Sequence, residues 1–190
     1  RKIVPIHLSV RQGEWSQPTG SSLEGKTVSL IGFGDVGKEI AFRAQAFGLK
    51  SLYFDPYVPN ATNGARQVTL DDAFSSADFL VLCCASTPET INIVCDRSLK
   101  KVQSGINLVN VSRGNLVDES ALVQALHSGA VAGAALDVYQ EEPLAVNSPL
   151  RNFSSVIFGS HNASNTTEGV LRASKKAANL IIKWGRGDLE

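Results

Sequence analysis

The chain has 190 residues, with 18 acidic and 18 basic side chains, so it carries no net field to draw nucleic acid or an anionic membrane. Its longest wholly apolar run, residues 79–85, is far too short to cross a bilayer, and no signal-peptide pattern opens it. One domain with a sizeable core is expected, with no nucleic-acid or membrane partner and a cytoplasmic location. The three cysteines are an odd count and read as buried thiols in a reducing compartment. The absence of any Met leads us to expect a piece of a longer chain.

Residues 1–22 read as a lead-in between domains, with Pro5 interrupting a moderately apolar stretch and Trp15 as a buried anchor. Residues 23–190 read as one α/β unit. Thr27-Val28-Ser29-Leu30-Ile31 has the apolar, partly β-branched make-up of a buried parallel strand. A helix follows, with Val36, Ile40, Ala44 and Phe47 as its apolar face and Gly48 as its stop. Leu52-Tyr53-Phe54 forms the next strand, and Asp55 stands at its carboxyl end. After a polar stretch, residues 56–66, the pattern predicts a short strand at Gln67-Val68 and a small helix capped by Thr69.

Residues 79–84 are the next buried strand, with Cys83 and Cys84 on opposite faces, and Thr87-Pro88-Glu89-Thr90 a loop and helix start. A short helix at 96–101 precedes a strand at 106–111. Asp118 caps a helix carrying Leu122, Ala125 and Leu126, ended by Gly129, with His127 a structural residue in its last turn. Strands follow at 131–138 and 156–158. A long helix starts at Asn165, with Glu168 completing a capping box and Val170, Ala173, Ala177, Leu180, Ile181 and Trp184 as its apolar face. Strands alternating with helices imply a doubly wound parallel sheet of Rossmann type, with ligands at the carboxyl ends of the strands.

The turn between the first strand and its helix reads Gly32-Phe33-Gly34-Asp35-Val36-Gly37. Gly32 permits a tight turn, Gly34 a close approach of backbone to a pyrophosphate, and Gly37 close packing of helix on sheet. The helix N-terminus then offers free N–H groups and a positive dipole end to the phosphates. Asp55, eighteen residues after Gly37, is placed to accept from a ribose 2′-OH and to repel a 2′-phosphate. Positions 56–60 carry no Arg or Lys to receive such a phosphate, so NAD is expected as cofactor rather than NADP.

Three polar residues follow later strands on the same edge: Arg113, Glu142 and His161. An Arg suits bidentate binding of a carboxylate, and a His paired with a Glu suits proton transfer. Beside a nicotinamide, these are the parts needed for hydride transfer between a 2-hydroxy acid and a 2-oxo acid. Asp137 is a candidate to bind the nicotinamide carboxamide.

Gly32 to Gly37, Thr87-Pro88-Glu89-Thr90, Val109-Asn110-Val111-Ser112-Arg113-Gly114 and Leu136-Asp137-Val138-Tyr139-Gln140-Glu141-Glu142-Pro143 together resemble the D-isomer-specific 2-hydroxyacid dehydrogenase family. The resemblance covers residues 23 to about 170. It implies that Arg113 binds substrate, that His161 is the catalytic acid/base and that Glu142 is its partner. It also places Asp35 and Val36 at the pyrophosphate, Asp55 at the ribose, and Thr87, Val111, Ser112, Arg113, Asp137, His161 and Ser164 around the nicotinamide end. No metal is implied. Members carry a further substrate domain, largely absent here, and form dimers through their cofactor domains. Dehydrogenase-like corepressors that sense NAD(H) resemble the same family and stand as the alternative. Two departures are visible: Gly159-Ser160-His161 stands where the family usually reads Thr-Pro-His, and Cys83 and Ala85 stand where it often has His and Pro.

Overall fold

The computed structural model of the chain describes residues 2–59 and 64–188. Its elements run α1 (Ile3–Arg11), β1 (Thr27–Ile31), α2 (Asp35–Ala46), β2 (Lys50–Phe54), β3 (Arg66–Gln67), α3 (Leu70–Ser75) and β4 (Phe79–Leu82). They continue with α4 (Asp96–Leu99), β5 (Ile106–Asn110), α5 (Glu119–Ser128), β6 (Val131–Leu136), β7 (Val156–Phe158) and α6 (Thr167–Gly185). The seven strands form one sheet in the order β3-β2-β1-β4-β5-β6-β7, and every pairing is parallel. The order reverses between β1 and β4, where an open α/β sheet leaves a crevice outside its strand ends. The doubly wound fold expected from the sequence is the fold observed.

Alternation along the strands sorts the core into two layers. Leu80 and Leu82 of β4 and Ile106 and Leu108 of β5 pack with Phe74 of α3, Leu99 of α4 and Leu122 of α5. Val28 and Leu30 of β1, Tyr53 of β2 and Val81 of β4 pack on the other face with Ala41 and Ala44 of α2. Cys83 and Cys84 lie just past β4 rather than within it, and they pack against different layers as expected. Local chemistry at the helix ends matches the sequence. Thr69 accepts from Asp72 N–H at 3.1 Å, Asp118 accepts from Ser120 and Ala121, and Gly48 and Gly129 hold left-handed conformations.

Five local expectations are corrected. The lead-in contains a helix, because Pro5 falls in the first turn of α1, where its missing N–H has no intrahelical acceptor. Trp15 is 79% exposed and is not the buried anchor expected. In α2 the buried residues are Gly37, Ala41 and Ala44, while Val36 and Phe47 face out. Ala44 is common to the expected and observed faces and Ile40 is partly buried, but a helix seated close on a sheet buries its small side chains first. Residues 88–92 form turns rather than a helix start. Thr166, not Asn165, caps α6, its Oγ1 accepting from Gly169 N–H at 3.0 Å, and no residue of α6 is buried. Part of the polar stretch, residues 60–63, lies outside the described residues.

Leu80→Ala, in the middle of the sheet, should lower stability by about 2–5 kcal/mol in urea denaturation of the chain. Leu180→Ala on the exposed face of α6 should change it by less than about 0.5 kcal/mol.

Candidate functional site

Every residue singled out for chemistry follows the carboxyl end of a parallel strand or opens the segment behind it, so the topology gathers them on one edge. The glycine turn leaves β1 there. Gly32 has φ 98°, and a Cβ on it would stand 2.6 Å from the amide nitrogen of Cys84. A Cβ on Gly37 would stand 2.6 Å from the Gly32 carbonyl oxygen. Both glycines are therefore demanded by backbone packed against backbone. Cys83 adds to this seam by donating its thiol hydrogen to the Gly32 carbonyl at 3.0 Å; burial pushes that thiol up to about 12, so it stays a donor.

Gly34 is different. A Cβ there would meet nothing within 4 Å, and the residue caps α2 with no side-chain hydrogen bond. Asp35 and Val36 are exposed beside it. Open space over an uncapped helix N-terminus is what a pyrophosphate needs, so the turn fits a dinucleotide. Asp55 closes the same corner: Oδ2 accepts from Phe33 N–H at 2.7 Å and Oδ1 from Tyr57 N–H at 2.9 Å. The carboxylate thus braces the turn, and each oxygen keeps acceptor capacity for a ribose hydroxyl.

Across the edge, Thr87 N–H donates to Thr90 Oγ1 at 2.7 Å, and that hydroxyl donates on to Ala85 O at 2.8 Å, which folds the loop after β4 back on itself. The Ser112 hydroxyl donates to the Cys84 carbonyl, joining the loops after β4 and β5. Val111 and Arg113 are exposed, and Arg113 Nη1 donates to Ser112 O at 2.7 Å.

Asn110 was missed at the level of sequence. It is 1% exposed, its Nδ2 donates to Arg113 O at 2.9 Å, and its Oδ1 accepts from Ser112 N–H at 3.1 Å. The available signal was an amide at the carboxyl end of a strand whose other residues are mostly apolar. Asn110 thereby shapes the loop that presents Arg113.

Glu142 and His161 are brought together. His161 Nδ1 lies 2.8 Å from Glu142 Oε2, while Glu142 Oε1 accepts from Tyr139 N–H at 3.0 Å. The hydrogen bond to His161 first, and then the Tyr139 amide, hold the Glu142 carboxyl below the usual carboxylate range. His161 itself is left-handed, at φ 55°. Asp137 holds it so: its carbonyl accepts from His161 N–H at 2.7 Å, and its carboxylate accepts from Asn162 N–H at 3.0 Å and Ala163 N–H at 2.8 Å. Asp137 therefore has a task beyond the one foreseen for it. Ser164 is exposed in the turn leading to α6. A cleft of about 550 Å³ opens beside the pair, among Tyr139, Pro143, Phe158 and Ser160.

The Arg113 loop touches the Glu142 segment directly. A Cβ on Gly114 would fall 1.8 Å from the Tyr139 carbonyl, so only glycine lets the two backbones meet. Among the described residues no group of His, Cys, Asp and Glu could hold a metal ion, and no helix is long and apolar enough to cross a membrane.

The sequence model described as D-isomer specific 2-hydroxyacid dehydrogenase, NAD binding domain, matches residues 1–163. The chain belongs to this family. It is 37% identical to D-3-phosphoglycerate dehydrogenase 2, chloroplastic, of Arabidopsis thaliana, over all of this chain and 31% of that protein. It is 35% identical to glyoxylate reductase of Thermofilum pendens, over all of this chain and 59% of that protein. The crystal structure of a glyoxylate reductase from Paecilomyes thermophila superposes with a TM-score of 0.87 at 33% identity, covering 94% of this chain and 55% of that one. The chain thus spans about a third to three fifths of these proteins, and what it contains is the family's NAD-binding domain.

Two predictions follow from this geometry. Gly34→Ala should leave the melting temperature nearly unchanged yet weaken NADH binding by about tenfold or more, whereas Gly32→Ala should lower stability by more than 1 kcal/mol, roughly. Calorimetry and NADH fluorescence on both variants check this. Because the folded pKa of Glu142 is depressed, its contribution to stability is present above its unfolded pKa of about 4.3 and is lost as pH falls through the folded value. The melting temperature of Glu142→Gln should therefore lie below that of the unmodified chain near neutrality and converge on it in acid.

Proposed function

We propose that this chain is the cofactor-binding, histidine-bearing part of an NAD-dependent dehydrogenase that interconverts a D-2-hydroxy acid and its 2-oxo acid. The observation that carries the reading is the His161–Glu142 pair at the same sheet edge as an open glycine turn. Gly34 and the α2 N-terminus would hold the pyrophosphate, and Asp55 the adenosine ribose. When bound, NAD supplies the acceptor or donor of hydride. Thr87, Val111, Ser112, Asp137 and Ser164 belong to the wall of its nicotinamide end.

In the oxidative direction Arg113 grips the substrate carboxylate through its planar fork and polarises the neighbouring oxygen. With Nδ1–H directed at Glu142 Oε2, the Nε2 lone pair of His161 is left to accept the hydroxyl proton as the C–H bond breaks. Glu142 then stabilises the imidazolium. In reduction His161 returns that proton to the carbonyl oxygen.

Turnover on this reading needs a second domain that closes the other wall of the cleft, and the exposed apolar stripe of α6 is available to it. The chain alone should bind NADH yet turn over poorly. The assembly we propose is a homodimer through cofactor domains, in a reducing, cytoplasmic compartment consistent with free Cys83, Cys84 and Cys95.

A fluorescence titration with NADH and NADPH in parallel tests the cofactor reading: NADH should bind tighter, and Asp55→Ala should erode the preference by about tenfold. Equal or stronger NADPH binding would overturn the role of Asp55. In the full-length protein, His161→Ala should lower kcat for 2-oxo acid reduction by about 10²–10⁴-fold. Unchanged kcat would remove His161 from the mechanism.

A further inference from the structure

We infer that Tyr139 is the positioning residue of the His161–Glu142 pair, its hydroxyl holding the backbone that leads into His161 while its amide holds the Glu142 carboxylate. The inference rests on the acid/base role proposed above for that pair and assigns a further residue to it.

The lead-in to His161 is Gly159-Ser160, without the proline that would stiffen it. A left-handed histidine persists only where its surroundings over-determine it. The restraint from one side is Asp137, described above. From the other side it is Tyr139. Its hydroxyl donates, shared, to Gly159 O at 2.8 Å and Leu136 O at 2.9 Å. Gly159 N–H donates to the same Leu136 carbonyl at 2.7 Å. The peptide groups on both sides of Gly159 are thereby pinned to the end of β6, two residues before His161.

The same residue reaches the other partner through its amide, at 3.0 Å from Glu142 Oε1. Tyr139 is buried, its ring stacks near Phe158 at 6.5 Å, and its backbone is pressed against Gly114. Burial and the nearby Asp137 charge push the phenol up, so the hydroxyl remains a donor across neutral pH. Arg113, Glu142 and His161 stand on three different loops, and Tyr139 is in contact with the support of each.

Tyr139→Phe removes the hydroxyl alone and keeps the ring, the amide and the charged neighbours of Glu142, His161 and Asp137. The full-length protein, labelled with ¹³C at glutamate carboxyls, gives the deciding measurement. In the variant the Glu142 resonance should titrate closer to the ordinary glutamate value than in the unmodified protein, because the histidine no longer sits squarely on Oε2. An unmoved titration would overturn the inference. Kinetics should agree: kcat falls about tenfold to a hundredfold with NADH affinity within about twofold, and the low-pH limb of kcat/KM moves upward. Ile106→Val, buried at the far end of β5, controls for stability loss; it should lower the melting temperature and move neither the Glu142 titration nor the limb. Absence of 2-oxo acid reduction by the unmodified protein would instead count against the dehydrogenase reading, and the Glu142 titration would still decide the role of Tyr139.

Discussion

Backbone packed on backbone, with no side chain between, is the constraint on which the site depends. Gly32 lets the exit from β1 lie against the exit from β4, Gly37 seats α2 on the turn itself, and Gly114 lets the Arg113 loop touch the Glu142 segment. Any Cβ at these three places would stand well inside contact distance of a main-chain atom. A flexible neighbour can move aside for a methyl group; a strand end or a helix turn cannot without disturbing the sheet. The glycines therefore transmit the register of the parallel sheet directly into the positions of the loops.

Charge is used locally at the edge. The carboxylates of Asp55 and Asp137 each accept from two backbone N–H groups, so both act as braces for a turn. Hydrogen bonds to an ionised acceptor are stronger than neutral ones, about 1.5–3 kcal/mol against about 1. Two of them are enough to offset the roughly 1–2 kcal/mol of a left-handed non-glycine residue. Glu142 differs in spending one oxygen on the backbone and the other on an imidazole, the arrangement that fixes a tautomer. Ion pairs on the periphery, such as Arg43 with Glu39 and Lys100 with Asp96, are exposed and contribute little.

The two ends of the chain behave unlike its centre. α1 buries only Ser9 and α6 buries nothing, although α6 carries a clear apolar stripe. An amphipathic helix of this length draws most of its stability from packing that stripe, and the described residues do not bury it. The relatives that the chain matches are longer, the chain spanning 31% of one and 59% of another.

The order of the strands, the parallel doubly wound sheet, the glycine turn with its acid, and Arg113, Glu142 and His161 as candidates were legible in sequence, whereas α1 was not. Each rests on short-range chemistry: alternation, cap residues, glycines at fixed offsets and motifs of a few residues. The seat of Gly37 on the sheet and the burial of Ala44 were legible, but the exposure of Val36 and Phe47 was not, because closeness to the sheet, not hydrophobicity, selected Ala41 beside them. Nor were the exposure of Trp15 and of α6, since a stripe in sequence does not say whether its partner surface is present. The supports of the site were equally hidden. Asn110, Asp137 and Tyr139 act across separations of many residues or through backbone atoms, and only the tertiary fold decides which carbonyls and amides lie within reach of them.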